Sequence, residues 1–540
     1  MMTKFRKICN FRAIFFLFLL VMLCIFGAVR AYSDKIYLVL LVFPVAYFLY
    51  CGIKKRFVLL GISFIILCGV SVYAYINVKN FEESVLPSGQ VVIVATLDKI
   101  SMTSSGDYLY YFRDLEYKQD ENSEACKLKD GGSIFVNGSS PLFEFKRFDR
   151  IAFVGKIVKN NKKNSDSDRK NNFYSDNKYK MYVSSDSTPV KVEVDKNIIE
   201  SFHENNLDYL VKNLGERNGN ICYSILYGDR ATVPTHDLDS FKQSGVMHLF
   251  AVSGLHVGLL VAAIAWLLSK LKIGGKVQFF LISGFLLGYC VLCSFTPSVA
   301  RASVMSICLL LSKLFERKYD SLNALSLAGI ILLAFSPTML FAVGFQLSFA
   351  AVFGIITMSR IFGFVKFKSA FMQEFWNVTK LSLSAQIGVL PIMFYYFGCV
   401  TTWTMLANLF LIPLFTLFYT FLFVCNIIVM IIPSLGFILK APGILFDLFV
   451  YFNELIISLP GSSIEYNGVN VLSIVLYMAL LWCGSKYLVV DGRTRAIVAM
   501  VIVLCISFSL FMTDLEFFGE EARINHRSLP SGVFLAQKCG

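Results

Sequence analysis

Long apolar segments with few charges recur along this 540-residue sequence, and they restrict its fold more than any other feature. A helix needs about 20 apolar residues to cross the hydrocarbon of a bilayer. Segments of that kind lie at 13–30, 36–53, 57–76, 246–269, 276–294, 298–315, 321–336, 340–359, 376–397, 403–432, 437–459, 471–490 and 496–512. Since 56% of the residues are hydrophobic, the sequence predicts a polytopic α-helical membrane protein with roughly thirteen transmembrane helices.

The first apolar segment follows a basic stretch, as the core of a secretory signal peptide would. It is longer than such a core and a second apolar segment follows at once, so we expect an uncleaved helix with a cytoplasmic amino terminus. Basic clusters at 54–56, 270–276, 313–318 and 360–368 then also lie inside, as is typical of cytoplasmic loops. The polar segment 77–245 and the carboxyl-terminal tail are expected outside.

Residues 77–195 alternate between apolar and polar side chains with the period of β-strands. Strands are predicted at 90–97, 108–115, 132–136, 150–158, 180–183 and 190–194. This number of short strands suits an external small β-barrel, and an OB-like barrel is our expectation, although a small β-sandwich fits the same pattern. Cys126 and Cys222 would form a disulfide there only if the fold brought them together.

A basic stretch interrupts this strand pattern. Between Lys146 and Lys180 the sequence has 11 basic and four acidic residues, with aromatic residues interleaved. Surfaces of this composition bind single-stranded nucleic acid, and the candidate DNA contacts are Lys162, Lys163, Arg169, Lys170 and Tyr174. A solvated, unstructured insertion has the same composition and is the commoner case.

The segment 244–260, SGVMHLFAVSGLHVGLL, places His248, Ser253 and His256 at the mouth of a predicted transmembrane helix. Polar side chains are unfavourable in hydrocarbon and often serve a function there. Eight positions separate the two histidines, so on an unbroken helix they would share a face about 80° wide, unless Gly254 opens the helix. They would either hydrogen-bond a passing polar group such as a phosphate or join neighbouring helices.

Four further polar residues lie in predicted spans. The planar guanidinium of Arg301 would bind a phosphate or would extend to the outer interface. Gln346, Gln386 and Asn408 are uncharged, and each alone is more often an interhelical contact. Together with the histidines they would make a polar lining of low charge, along which a charged polymer can slide.

The sequence gives little support to enzymatic chemistry. It has five histidines, no HExxH motif and no carboxylates near His248 and His256, so a zinc hydrolase is not expected. It has no Walker motif for ATP hydrolysis. We expect no catalytic residues, no metal site and no cofactor. The alternatives are an intramembrane phosphoester hydrolase that uses His248 and His256, and a transporter of another polyanion.

Short motifs with glycine, proline and polar residues follow one another in the second half of the chain. They are GDR (228–230), HLFAVSGLHVGLL (248–260), FTPSVARA (295–302), DSLNA (320–324), VGFQLSFAAVFG (343–354), SAQ (384–386), FG (397–398) and ANL (407–409). In these motifs the sequence resembles the ComEC competence family of bacterial natural transformation. The resemblance implies a multi-pass inner-membrane channel that passes single-stranded DNA into the cytoplasm during DNA uptake.

The same resemblance implies which residues line the channel and which partners it needs. The implied lining residues are His248, Ser253, His256, Arg301, Gln346, Gln386 and Asn408. The implied partners are an external DNA receptor, a separate nuclease and a cytoplasmic ATP-driven helicase. Many family members end in a metallo-β-lactamase-type domain, which we do not expect here, because only residues 513–540 follow the last predicted span.

The predicted organisation combines these observations. It is 1–76, three transmembrane helices; 77–195, the external β domain; 196–245, amphipathic helices on the membrane surface; 246–460, the transmembrane channel domain; 461–512, further transmembrane helices; and 513–540, an external tail. The sequence leaves open whether one chain or a homo-oligomer encloses the pore.

Overall fold

A computed structural model of the chain describes residues 13–33, 65–76, 79, 86–102, 108–118, 125–128, 131–136, 149–159, 177–183, 189–192, 197–229, 233–250, 252–359, 361–364, 367–459, 463–466, 468–485 and 494–510. The chain forms two compact units. The larger comprises Arg12–Phe349 and Thr401–Ser462, and the smaller includes Ala350–Val400 and the described residues from Ser463 onward.

Helices form the greater part of both units. They are α1 (Ala13–Ser33), α2 (Ile65–Ile76), α3 (Ile198–Leu214), α4 (Glu216–Tyr227), α5 (Thr235–Gln243), α6 (Gly254–Lys270), α7 (Gly275–Leu292), α8 (Pro297–Leu314), α9 (Ser321–Phe335), α10 (Val343–Met358), α11 (Ala370–Phe397), α12 (Thr404–Ile431), α13 (Lys440–Ile457), α14 (Val471–Gly484) and α15 (Thr494–Leu510). Short 3₁₀ helices lie at Met247–Leu249, Pro337–Phe341, Ile361–Phe364 and Pro433–Leu439.

Five helices in the described part of the chain are long and apolar enough to cross a membrane. They lie at Gly275–Leu292, Pro297–Leu314, Phe375–Phe397, Ala407–Ile431 and Pro433–Ile457, and shorter apolar helices accompany them. The predicted class, a helical membrane protein with a β domain near its amino terminus, is confirmed. The predicted number of helices stays a prediction, and the apolar segment 36–53 lies outside the described residues.

Several of the sequence motifs begin or end helices. The Asp320 carboxylate accepts hydrogen bonds from the Leu322 and Asn323 amides (3.1 and 3.0 Å) and so caps the amino terminus of α9. Gly398 ends α11 with a positive φ of 68°, a backbone conformation that glycine adopts at little cost. The DSLNA and FG motifs therefore have local structural roles.

In its described residues the β domain contains seven strands, of which five pair in a closed order. The strands are β1 (Val91–Met102), β2 (Tyr108–Lys118), β3 (Cys126–Lys127), β4 (Gly131–Val136), β5 (Arg150–Lys159), β6 (Asn177–Val183) and β7 (Val190–Val192). The pairing runs β1, β2, β4, β6, β5 and back to β1. The β4 and β6 strands are parallel, and the other pairs in this ring are antiparallel.

All six predicted strands are present, and the sequence pattern missed only the two-residue β3 among the strands of this domain. Alternate residues of the ring are buried, including Ile93, Tyr110, Phe112, Phe153 and Met181. These side chains form a core of their own inside the domain, because successive strand residues point to opposite faces. Cys126, exposed on β3, and Cys222, buried in α4, are free and form no disulfide.

The helix α3 joins the β domain to the transmembrane helices of the larger unit. Its capping residue Glu200 accepts a hydrogen bond from the Asn197 amide (3.1 Å) and pairs with Arg113 of β2 (2.6 Å). Further along α3, the buried Asn206 side chain donates to Asn426 of α12 (3.2 Å). The sequence analysis expected amphipathic helices on the membrane surface within 196–245, and the structure forms α3 there and packs one of its faces against helices.

In the smaller unit, α10 and α11 approach until their backbones touch. A Cβ atom on Gly354 would lie 2.7 Å from the Cα atom of Gly388. The Tyr477 hydroxyl of α14 donates to the Ile387 carbonyl of α11 (2.9 Å). Two short strands, β8 (Cys399–Thr401) and β9 (Ser463–Glu465), form a two-stranded sheet.

Candidate functional site

The amino terminus of α6 holds a buried cluster of polar groups. Ser253 is the residue that caps this helix, and its backbone N–H donates to Nδ1 of His256 (2.8 Å). The Ser253 hydroxyl lies 2.9 Å from the same nitrogen and accepts from the Leu255 amide (3.2 Å). These reciprocal bonds fix the start of the helix and the orientation of the imidazole.

The bonds at Nδ1 also assign the tautomer of His256. A backbone N–H can only donate, so Nδ1 acts as an acceptor and the proton of the neutral ring resides on Nε2. The ring is fully buried, and Nε2 has no hydrogen-bond partner among the described residues. An unsatisfied buried donor is unfavourable by about 1–3 kcal/mol, which makes this N–H a candidate for binding a ligand.

Aromatic rings of α12 enclose the imidazole of His256. Tyr419 and Phe415 lie edge to face against it, with ring centroids 4.5 and 5.1 Å away. The Tyr419 hydroxyl lies 3.2 Å from that of Tyr289, which donates to the Leu226 carbonyl at the end of α4 (2.7 Å). The site therefore combines a dry aromatic wall with a few hydrogen-bonding groups, as ligand-binding sites in proteins often do.

Arg301 lies beside this cluster in the second turn of α8. Its side chain is only 6% exposed, so it does not extend to the outer interface as one interpretation of the sequence expected. Its Nε donates to the Ser348 hydroxyl (2.8 Å), and Nη1 lies 3.8 Å from the Met305 sulfur. Gly254 makes room for the guanidinium, since a Cβ atom there would lie 3.0 Å from Nη2.

Of the two arrangements that the sequence left open for His248 and His256, the structure shows the broken helix, so the two histidines share no helical face. The predicted span at 246–269 begins only at Gly254, and His248 belongs to the separate 3₁₀ helix Met247–Leu249. His248 is exposed, with Nδ1 3.2 Å from the Gly245 carbonyl, whereas His256 is buried. The break at Ser253 separates them, because the capping bonds of α6 replace the helical bonds of a continuous span.

The other predicted lining residues have separate positions. The Gln346 amide donates to the Leu340 carbonyl (3.0 Å), which gives it a local role between the 3₁₀ helix Pro337–Phe341 and α10. Asn408 is buried in the second turn of α12. Gln386 is half-buried in α11 of the smaller unit. The structure therefore brings together Ser253, His256 and Arg301 from the predicted set, and the common lining stays a prediction.

The predicted DNA contacts Lys162, Lys163, Arg169, Lys170 and Tyr174 lie outside the described residues. On the neighbouring strands, Lys156 of β5 pairs in register with Tyr182 of β6, and Val158 pairs with Lys180. Lys156, Val158 and Tyr182 are exposed on the outer face of the β domain. The strands β4, β5 and β6 contain no acidic residue, so this face is basic and partly aromatic.

The sequence analysis missed the tyrosines and asparagines that connect the helices of the larger unit. Asn426 of α12 donates to the Tyr227 hydroxyl at the end of α4 (3.3 Å), and burial raises the pKa of Tyr227 far above its usual range. Tyrosine and asparagine within apolar spans were the available signal. No group of three or more His, Cys, Asp or Glu residues that could hold a metal ion occurs in the described ranges.

The sequence model of the competence protein family matches residues 225–490, which include α6, α8, α10, α11 and α12. Over this part, the chain is similar to the competence protein family. The ComE operon protein 3 of Bacillus subtilis is 38% identical to the chain over 201 residues, which cover 37% of the chain and 25% of that protein. The Recombination protein 2 of Haemophilus influenzae is 23% identical over 209 residues, 36% of the chain and 26% of that protein.

An uncharacterized protein of Aquifex aeolicus is 30% identical to the chain over 177 residues, which cover 32% of the chain and 40% of that protein. The chain thus matches about a quarter of the length of the two relatives above and less than half of the third. No solved structure matches the chain. The family resemblance found in the motifs is confirmed over the helical domain, which contains the cluster at Ser253, His256 and Arg301.

Proposed function

We propose that the chain is a channel in the inner membrane of a bacterium that passes single-stranded DNA into the cytoplasm during competence. One observation carries the proposal: in a domain of the competence family, a buried imidazole offers an unpaired Nε2–H at a capped helix start among transmembrane helices. A neutral donor can contact successive phosphates without holding them, because it adds no fixed charge.

The low charge of this site suits a moving polyanion. Among the polar residues that the structure brings together, Arg301 alone carries a full charge, while Ser253 and His256 are neutral donors and acceptors. Each additional cation along the path would add a salt-dependent phosphate contact and slow the strand. A site for transport needs binding that is weak enough for release.

We infer that the β domain is an OB-type barrel that receives the strand. This inference is supported by the closed order of β1, β2, β4, β6 and β5, in which β4 and β6 pair in parallel. Its outer face at Lys156, Lys180 and Tyr182 combines two cations with a ring on which a base can stack. We further propose that this domain and the carboxyl terminus lie outside and the amino terminus inside, and that an external receptor, a separate nuclease and a cytoplasmic ATP-driven helicase act with the chain.

The role of this outer face is tested with the full-length protein and a fluorescent oligothymidylate at low salt. We expect the triple variant with Lys156→Ala, Lys180→Ala and Tyr182→Ala to bind at least about tenfold more weakly, from loss of one stacking contact and two phosphate contacts. Lys118→Ala on β2 is the matched control, since this exposed lysine lies on a strand that also carries Asp114 and Glu116. Equal weakening in both variants would speak against a specific face.

The channel function is tested by deleting the gene in a transformable host and following labelled DNA. We expect DNA to bind the cell surface and stay sensitive to added nuclease, with no single strands in the cytoplasm. Reintroducing the intact gene should restore the single strands in the cytoplasm. Undiminished arrival of single strands in the deletion strain would refute the channel.

The chain is proposed to act without chemistry of its own. A phosphoester hydrolase that uses both histidines would need them at one reaction centre, whereas His248 is exposed on a 3₁₀ helix and His256 is buried in α6. Purified protein incubated with phosphodiester substrates and divalent metals tests this point. Turnover that disappears in His256→Ala would favour the hydrolase.

A further inference from the structure

The guanidinium of Arg301 lies against the positive end of a helix dipole. Arg301 is buried to 94%, and its recorded side-chain partners are the Ser348 hydroxyl and the Met305 sulfur. In the ranges that the structure describes, no carboxylate forms an ion pair with it. A buried guanidinium that lacks a counter-ion is strongly unfavourable, so a bound anion would stabilise this site.

The neighbour of the guanidinium strengthens this requirement. Its Nη2 atom lies 3.0 Å from where a Cβ atom of Gly254 would be, and Gly254 is the first residue of α6. The amino terminus of a helix carries about half a positive charge and exposes backbone N–H groups. Two positive groups in contact repel each other, whereas an anion next to both is stabilised by both.

A second, independent group at the same helix start also lacks a partner. The Nε2–H of His256 is buried and has no acceptor among the described residues. Its Nδ1 is held by the Ser253 amide, so the ring cannot reverse to satisfy Nε2 without breaking that bond. The helix start therefore combines a cation that has no counter-ion among the described residues, the positive end of a dipole and an unpaired donor.

We propose that the start of α6 is an oxyanion site that binds one phosphate group next to both the Arg301 guanidinium and the Gly254 backbone N–H. A guanidinium presents two parallel N–H groups to phosphate oxygens, and the missing side chain of Gly254 lets the guanidinium approach the helix start closely enough for one phosphate to contact both. These contacts are the evidence for the oxyanion site, and they do not depend on the proposed function. Its assignment to a phosphodiester of the transported strand rests on the proposed function, and the headgroup of an anionic lipid is the other source of the same chemistry.

The site is tested on the purified full-length protein in a maltoside detergent without phospholipid, with inorganic phosphate as the probe. We expect saturating phosphate, compared with chloride at equal ionic strength, to raise the unfolding temperature by about 2 °C or more. Arg301→Gln should abolish the rise and Arg301→Lys should keep part of it, because an ammonium retains the charge without the planar fork. Arg217→Gln, at an ion pair with Asp237 outside the site, should keep the full rise.

A second variant keeps the test valid if Arg301→Gln does not fold. Gly254→Ala retains the guanidinium and fills the space beside it, so we expect its phosphate response to be lost. A wild-type protein that phosphate does not stabilise, or an equal rise in Arg301→Gln and the wild type, would overturn the oxyanion site.

The source of the phosphate is decided by competition. An oligothymidylate should displace phosphate from the wild type, and its methylphosphonate analogue, which lacks the charge, should not. Displacement by phosphatidylglycerol micelles but not by the oligonucleotide would overturn the assignment to the strand. Normal DNA uptake by cells carrying Arg301→Gln would also overturn that assignment and leave the channel intact, whereas failure of the channel itself is read from the deletion strain.

Discussion

Gly354 of α10 and Gly388 of α11 face each other across a helix crossing, and neither has room for a side chain. A Cβ atom on Gly354 would lie 2.7 Å from the Gly388 Cα, and one on Gly388 would lie 2.9 Å from the Gly354 Cα. Contacts this close are typical of small residues where transmembrane helices cross.

We expect Gly354→Ala to destabilise the protein by about 1–3 kcal/mol, because overpacking outweighs the better helix propensity of alanine. The measurement is reversible unfolding in detergent. Gly344→Ala in the same helix is the control, since nothing lies within 4 Å of a Cβ atom there. Equal stability of the two variants would contradict the close crossing.

Gly245 precedes the 3₁₀ helix that carries His248, and it combines a positive φ of 81° with lack of space. A Cβ atom on it would collide with the side chains of Thr401 and Thr404. Gly228 is left-handed with a similar φ of 79°, and a Cβ atom there would meet only an ordinary contact, 3.4 Å from Cγ2 of Val252, so it isolates the backbone strain from the collision.

Alanine at either glycine should be destabilising by about 1 kcal/mol from the left-handed backbone alone. Because of the collision, we expect Gly245→Ala to lose about 1–3 kcal/mol more in free energy of unfolding. The two variants are compared by thermal unfolding under one set of conditions. A loss at Gly228 as large as at Gly245 would show that the threonine side chains move aside at no cost.

The amide pair Asn206 and Asn426 joins α3 to α12 in a buried position, with Nδ2 of Asn206 donating over 3.2 Å. Replacing Asn206 by leucine removes a partner and leaves a buried polar group, at a loss of about 1–3 kcal/mol. The double variant, which also carries Asn426→Leu, should lose less free energy of unfolding than the two single variants lose together. A double-mutant cycle by chemical unfolding measures this coupling, and strict additivity would contradict it.

The carboxylate of Glu116 is stabilised in its charged form at the surface of the β domain. Its hydrogen bond with Lys127 (2.9 Å), assisted by Arg150 at 2.7 Å, holds the pKa of Glu116 below its ordinary value of 4.5. Since the folded pKa is depressed, this contribution to stability is complete above pH 4.5 and is lost as the pH falls through the folded pKa.

Hydrogen exchange of the β2 amides, corrected for intrinsic exchange, measures this dependence in the full-length protein. Protection of β2 should fall below pH 4.5 in the wild type, and the fall should be weaker in Glu116→Gln. Asp114→Asn, at the more exposed carboxylate two residues earlier, serves as the comparison, since asparagine keeps the shape of the side chain and tolerates the positive φ of 51°. A wild-type profile identical to that of Glu116→Gln would rule out this linkage.

Periodicity was sufficient to predict much of the architecture. The strand pattern located β1, β2, β4, β5, β6 and β7, and amphipathic periodicity located α3, because each element has one face in a core. The closed pairing of β1 with both β2 and β5 was beyond the sequence, since it depends on contacts between distant residues.

The candidate site was predictable in composition and not in geometry. The sequence singled out Ser253, His256 and Arg301, because polar side chains stand out among apolar ones. It placed His248 with His256 on one helix, whereas a capping bond between Ser253 and His256 starts a new helix there. The aromatic wall at Phe415 and Tyr419 gave no signal, since aromatic residues are common in every span.

The central claim is that the unpaired Nε2–H of His256 lies on the path of the strand. The most direct test is the amount of single-stranded label in the cytoplasm of transformable cells that carry His256→Phe, normalised to the amount of protein in the membrane. We predict about a tenfold reduction, the effect of one lost hydrogen bond to a charged group, while His236→Ala, at an exposed histidine, changes nothing. Undiminished uptake by the phenylalanine variant would contradict the account.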